Sequence, residues 1–333
     1  HQLTDRTGPD TGPVPSPDGR YIAYQGQDFN DDTYRENQLY LMAADGSNPR
    51  SLGGEMGRSL GNVTWSPDGK GVYFNVSMHG TQNLWFAPLN GQPHEVTKGN
   101  HMLSMASLDK MGGAVGTMSS YHKPGDIVSF GTETGDPIQQ LTHINDDILN
   151  EVTLGEVEEI WYKSIDNLDI QGWIMKPPNF DESKEYPLML SIHGGPHGMY
   201  NVGFNFGWQE HAANGYVILY TNPRGSSGYG SSFGNEIKNA YPDKDFDDLM
   251  AGVDEVISRG YVDDTNMFVY GCSGGGVLTS WVVGHTDRFA AASANCPVTN
   301  WLSFVGTTDG ATWYRNFEEY PWDDPSEHLR RSP

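Results

Sequence analysis

A short element recurs along the first half of the chain, and it constrains the fold more than any other feature. SPDGRYIAY begins at Ser16, SPDGKGVYF at Ser66 and a degenerate SLDKMGGAV at Ser107. Each is followed by a second strand-like run ending in a glycine turn: NQLYLMAADG to Gly46, NLWFAPLNG to Gly91 and DIVSFGTETG to Gly135. Short closing segments follow, PRSL, PHEVT and PIQQLT, and aligning Leu3, Leu52, Val96 and Leu141 gives spacings of 49, 44 and 45 residues. Asp-Gly pairs suit tight hairpins because glycine takes a positive φ without a side-chain clash. A period of about 45 residues made of short alternating strands predicts β-propeller blades rather than a sandwich with chance turn repeats.

The Ser-Pro-Asp-Gly element resembles the TolB-type blade, where its role is structural, so no chemistry is assigned to it. Three blades cannot close a ring, which needs about four or more. Leu3 also falls where the last strand of a preceding blade belongs. The expectation is an incomplete β-propeller over residues 1–153, with further blades upstream. The opening HQLTDRTGPD has neither a start Met nor a signal peptide and reads as a cut end.

From about Glu156 the pattern changes. EEIWYKSI and LDIQGWIMKPP read as a strand pair, and YPLMLSIHG as a buried strand ending at Gly194. GYVILYTNP, the amphipathic helix FDDLMAGVDEVISRG and the strand NMFVYG follow, then a small-residue helix after Ser273 and a strand in FAAASANCPV. Strands alternating with helices predict a largely parallel sheet covered on both faces, with ligands at the carboxyl ends of its strands. Residues 154–333 are therefore expected to form an α/β-hydrolase domain, incomplete at its C-terminus, since no strand pattern follows Val298.

Three glycine-rich segments sit at such strand ends. Gly271-Cys272-Ser273-Gly274-Gly275 lies between a predicted strand and a predicted helix, the setting of a G-x-S-x-G nucleophile elbow. Small neighbours let strand and helix pack closely, which lifts Ser273 out at the helix N-terminus. Cys272 is expected to point back into the sheet as a buried, inert thiol. In His193-Gly194-Gly195-Pro196-His197-Gly198, glycines allow backbone N–H groups to approach a substrate oxygen. The expected oxyanion donors are the N–H groups of Gly195 and Gly274, with His193, Gly194 and Pro196 shaping the loop. His193 and His197 are expected to orient that loop rather than to act as base. In the third segment, Asn222 to Gly230, Arg224 and Tyr229 are site-shaping candidates, and Arg224 is expected to pin its own loop to the helix rather than meet substrate.

Together HGGPHG, NPRGSSGYG, GCSGGG and TSWVVGHTDRFAAASANCPVTNWLS resemble the prolyl oligopeptidase family, and most nearly its acylaminoacyl-peptidase-like branch. That resemblance covers essentially the whole chain. It implies an N-terminal propeller that limits access and a C-terminal α/β-hydrolase domain acting as a serine peptidase on short peptides. It implies Ser273 as nucleophile, with Gly195 and Gly274 as oxyanion donors. It also implies a catalytic Asp and His downstream of PVTNWLS, in regions that match nothing here. His285 lies in the helix after the elbow, His328 in the polar tail FEEYPWDDPSEHLRRSP, and neither is promoted, nor is Asp323 or Asp324. The isolated chain is accordingly expected to be nearly inactive.

Composition narrows the alternatives. With 43 acidic against 20 basic residues the net charge is −23, which repels phosphate backbones and anionic lipid heads, so nucleic acid and membrane are not expected as partners. Only Cys272 and Cys296 are present, giving no disulfide framework and no thiolate zinc cluster. DFNDDT around Asp28 lacks a calcium-loop pattern, so neither metal nor cofactor is expected. Trp281, Trp301, Phe304 and Trp313 are weighed as an S1 wall, with core packing the preferred fate for most. Oligomers are common in the family, so a homo-oligomer stays open, as does cytoplasm against periplasm or secretion for a soluble chain. An esterase on the same scaffold and a non-catalytic propeller binding protein are the rival readings; the propeller-first order disfavours the first and the intact elbow the second.

Overall fold

The computed structural model describes residues 2–54, 56–58, 60–310 and 312–333. Strands β1 (Asp10–Pro15), β2 (Tyr21–Gly26), β3 (Gln38–Ala43) and β4 (Arg50–Ser51) form one antiparallel meander. A second comprises β5 (Leu60–Trp65), β6 (Gly71–Met78), β7 (Thr81–Pro88) and β8 (His94–Glu95). A third comprises β9 (Met102–Leu108), β10 (Gly113–Ser120), β11 (Lys123–Gly131) and β12 (Ile138–Gln140). One parallel bridge, Gln82 to Met102, ties the second to the third.

The repeated tetrapeptide closes the first hairpin of the first two meanders through a small set of bonds. The Ser16 hydroxyl donates to Asp18 Oδ1 at 2.7 Å and accepts the Tyr21 N–H at 3.0 Å, while Asp18 also accepts the Arg20 N–H at 3.0 Å. Ser66 and Asp68 repeat the arrangement with Gly71 and Lys70. The Ser16 hydroxyl leads the interactions that hold the Asp18 carboxyl at about 2, and the Lys70 ammonium does the same for Asp68. Gly19 and Gly69 supply the positive φ, +71° and +68°. In the degenerate third copy Asp109 instead accepts the Met111 and Gly113 N–H groups. Strand periodicity then builds the cores. Val72, Phe74 and Val76 of β6 pack with Leu39 and Leu41 of β3, whereas Tyr73 on the other face joins Leu84, Leu103 and Val128.

After a one-turn helix α1 (Asp146–Leu149) comes a six-stranded sheet of β13 (Val157–Lys163), β14 (Asp169–Met175), β15 (Tyr186–Ile192), β16 (Val217–Asn222), β17 (Val262–Cys272) and β18 (Ala291–Asn295). Its order is β13-β14-β16-β15-β17-β18, antiparallel up to β16 and parallel from there. The helices are α2 (Phe206–Ala213), α3 (Ser231–Gly234), α4 (Lys244–Ile257), α5 (Gly274–His285), α6 (Trp301–Thr307) and α7 (Ser326–Arg330). Leu188, Leu190 and Ile192 of β15 pack with Leu249 and Val253 of α4 and Val277 of α5. Ile218 and Tyr220 of β16 face the other way, onto Trp208 and Ala212 of α2. Leu249, Val253 and Val256 recur at helical spacing along α4, each fully buried and contributing about 1.5–3 kcal/mol.

The meanders lie against the loops at one end of this sheet. Asn235 Oδ1 accepts the N–H groups of Thr33 and Tyr34, each at 3.1 Å, and Asn235 Nδ2 donates to the Tyr34 carbonyl at 2.9 Å. Gln171 Nε2 donates to the His79 carbonyl at 3.2 Å, and the Val202 N–H to the Gly80 carbonyl at 2.9 Å. Among the described residues no helix is long and apolar enough to cross a membrane.

Candidate active site

Parallel neighbours β15 and β17 place Ile192 opposite Gly271, so the chain segments that follow them leave the sheet side by side. One is the His193–Gly198 loop, the other the turn at Ser273. Ser273 has φ +56° and ψ −119°, a conformation that costs a non-glycine residue about 1–3 kcal/mol and marks functional turns. The turn is held because the Ser273 N–H donates to the Asn295 carbonyl at 3.0 Å, at the end of β18. The side chain of Ser273 is left exposed at the start of α5.

The glycines around it are required by close approach. A Cβ on Gly275 would run into the Ile192 carbonyl, one on Gly276 into the Asn295 carbonyl, and one on Gly271 would sit 2.7 Å from the Ile192 carbonyl oxygen. A Cβ on Gly274 would sit 2.7 Å from the Gly195 nitrogen, so that amide lies over the first turn of α5. Neither the Gly195 nor the Gly274 N–H finds an acceptor among the described residues. The Tyr241 hydroxyl donates to the Gly274 carbonyl at 3.0 Å, a brace from another loop that sequence pattern does not announce.

Both histidines of the loop are occupied. His193 Nδ1 donates to the Gly194 carbonyl at 2.9 Å and its Nε2 lies 2.9 Å from the Ser226 hydroxyl; burial lowers its pKa to about 4. His197 Nδ1 donates to the Gly225 carbonyl at 2.7 Å, its ring packs on Tyr34 of the first meander, and burial lowers its pKa as well. Arg224 is fully buried and spends its donors on two carboxylates. Its Nε and Nη2 meet Asp248 of α4 at 2.9 and 2.8 Å, and Nη1 and Nη2 meet Asp166 at 2.9 Å each. Its own N–H donates to Asp248 at 2.8 Å, so the residue pins its loop to the helix and has no fork left for a ligand. Tyr229 is similarly built in, its hydroxyl accepting from Asn222 and donating to Gln171. Pro196 lines the cavity described below.

The expectation for Cys272 is overturned. It is exposed rather than buried, and it forms a disulfide with Cys296, their Cα atoms 5.6 Å apart. The reason lies in register: Cys272 pairs with Asn295 on β18, which brings the next residue, Cys296, alongside it. The Ser273 N–H also lies 3.3 Å from Cys296 Sγ. His285 ends α5 with Nδ1 donating to the Trp281 carbonyl at 2.8 Å and its ring stacked on Trp281. His328 is fully buried against Phe317. Neither hydrogen-bonds Ser273. Trp301 is core, its Nε1 donating to the Arg331 carbonyl at 2.9 Å, and Phe304 packs on it. Trp313 both stacks on Trp301 and lines a cavity of about 840 Å³. That cavity opens beside Gly195 and Pro196, between the His193–Gly198 loop, the segment before β3 and the segment after α6.

Residues 202–333 match the prolyl oligopeptidase family. The chain is 34% identical over 274 residues to the uncharacterized peptidase YuxL of Bacillus subtilis, covering 81% of this chain and 41% of that one. It is 30% identical over 319 residues to dipeptidyl-peptidase 5 of Porphyromonas gingivalis, covering 93% and 46%. The fold superposes on an acylaminoacyl peptidase of Pyrococcus horikoshii with a TM-score of 0.87 at 25% identity, over all of this chain and 52% of that structure. An acylaminoacyl peptidase in complex with Z-Gly-Gly-Phe-chloromethyl ketone aligns with a TM-score of 0.84, also at 25% identity, over 95% of this chain and 49% of that structure. The chain thus spans about half the length of the relatives it matches, and its mixed sheet with helices on both faces is an α/β-hydrolase domain.

Proposed function

Because the chain belongs to the prolyl oligopeptidase family, we propose that it carries the nucleophile and oxyanion half of a serine peptidase acting on short peptides. The observation that carries the reading is Ser273 itself: an exposed hydroxyl on a left-handed turn, beside two backbone N–H groups without acceptors. Ser273 Oγ attacks the scissile carbonyl while its proton passes to a base. The carbonyl oxygen becomes an oxyanion held by the Gly195 and Gly274 N–H groups, aided by the N-terminus of α5. Collapse breaks the C–N bond, the leaving amine takes the proton back from the base, and water then hydrolyses the acyl-serine.

No described histidine hydrogen-bonds the Ser273 hydroxyl, and four of them are otherwise engaged: His193 and His197 serve their loop, His285 its helix and His328 the packing of the tail. The base and the carboxylate that orients it are read as groups outside these 333 residues. The three meanders before residue 154 are read as blades of an incomplete propeller, over a hydrolase domain running from 154. Seated against the site, they would exclude large substrates.

The test is fluorophosphonate labelling followed by peptide mass spectrometry. The full-length protein should be labelled at Ser273, and Ser273→Ala should abolish the label. The 333-residue chain should label at least a thousandfold more slowly, since the oxyanion hole works there without its base. Labelling of another serine, or equal labelling of Ser273→Ala, would overturn the assignment.

A further inference from the structure

The cavity beside the oxyanion loop contains two guanidinium groups that no described carboxylate neutralises. Arg35 reaches it from the segment before β3, and Arg315 from the short helical turn after α6. They come from opposite ends of the chain yet converge on one ring, Phe29, with the guanidinium carbons 5.1 and 5.7 Å from its centroid. Among the described residues Arg35 donates only to Asn30, through Nε to Oδ1 at 2.9 Å and Nη2 to the carbonyl at 2.8 Å, and the Arg315 side chain makes no hydrogen bond. Among the described residues no carboxylate lies within ion-pair distance of either. Of the acids in the lining, Asp32 is committed to Lys238 at 3.1 Å, while Asp31 and Glu318 are exposed and pair with neither arginine.

In a chain with 43 acidic and 20 basic residues, two arginines in one cavity without a carboxylate partner call for an anion. Holding like charges on the same ring is unfavourable until one arrives. A guanidinium presents planar, paired donors that match a carboxylate, and Phe29, 45% exposed, offers an apolar floor between them. Gly195 and Pro196 line the same cavity, so it adjoins the amide on which a substrate carbonyl would rest.

We propose that Arg35 and Arg315 form a carboxylate-binding subsite that selects peptides bearing a negative charge near the scissile bond, supplied either by an acidic side chain or by a free C-terminus. The identity of the ligand rests on the peptidase reading, but the subsite is tested by binding alone, which separates the two. Failure to label Ser273 strikes the first; the comparison below strikes only the second.

The experiment is calorimetric titration of the full-length protein carrying Ser273→Ala, so that no turnover intervenes. One probe pair is tetra-alanine as free acid and as amide. The other is a C-amidated alanine tetrapeptide with one glutamate and the same peptide with glutamine. At least one acid should bind about tenfold more tightly than its neutral partner. A gap in the first pair assigns the charge to the chain terminus, and a gap in the second to an acidic side chain. Either gap should collapse when Arg35→Gln and Arg315→Gln are combined, and Arg315→Lys, which keeps a charge but not the fork, should restore part of it. Melting temperatures of the variants check that they fold. Acid and neutral forms that bind alike, neither form binding, or a gap that survives the double substitution would overturn the proposal.

Discussion

Glycine and aspartate are used in both halves of this molecule, for opposite reasons. In the Ser-Pro-Asp-Gly turns of the meanders they work at the surface. Gly19 and Gly69 need only their backbone angle, since a Cβ on either would meet nothing within 4 Å, and Asp18 is a turn carboxylate held at about 2 by bonds led by the Ser16 hydroxyl. Around the elbow they work buried. Gly275 is there because the Ile192 carbonyl occupies the space of its missing side chain. Asp245, at the start of α4, is sealed in, and burial first, then the neighbouring Asp248 charge, push its pKa up to about 7 against the two N–H groups it accepts. A repeated turn tolerates change because its cause is local. The elbow does not, because its cause is what packs against it.

The largest expected effect falls on the elbow. Gly275→Ala forces backbone against backbone with no side chain free to yield, so it should cost about 3 kcal/mol. It should also slow fluorophosphonate labelling of Ser273 at least a hundredfold in the full-length protein. A melting curve and label matching wild type would erase the contrast with the turns.

Next comes Asp245→Asn, which keeps the Oδ1 acceptor for the Asp243 and Phe246 N–H groups. The folded carboxyl holds a proton, up to about pH 7, that the unfolded chain releases near pH 4. Stability therefore falls as pH rises between those values. The variant should melt higher than wild type at pH 8, by on the order of 2 kcal/mol, with the gain vanishing at pH 4. A gain equal at both pH values would show that the carboxyl does not titrate in that window.

The smallest effect belongs to the turns. Gly19→Ala strains a left-handed position in open space and should cost about 1 kcal/mol, while Gly19→Asn, which tolerates that angle, should cost less. Denaturant midpoints of the three proteins measure this, and a Gly19→Ala loss as large as that of Gly275→Ala would break the comparison.

The same division separates what could be read from the chain from what could not. The Ser-Pro-Asp-Gly copies announce their hairpins because every bond of the turn lies within five residues. GCSGGG between a strand and a helix announces the elbow, since small residues there are the condition for that turn. The pairing of Cys272 is illegible without register: nothing local says that β18 will bring Cys296 beside it.

By itself the sequence determined the strand-and-turn grammar, the alternation of strands with helices and the position of Ser273, all set by backbone sterics and side-chain periodicity over a few residues. Only the tertiary structure decided the long-range partners. Arg224 is satisfied by Asp166, 58 residues away, and by Asp248. The Gly274 carbonyl is braced by Tyr241, and Asn235 is tied to Thr33 and Tyr34 some two hundred residues earlier. Arg35 and Arg315 meet over Phe29 in the same way. Such pairings follow from how sheets and helices pack, because a buried charge or an unpaired amide is costly wherever its partner happens to lie along the chain.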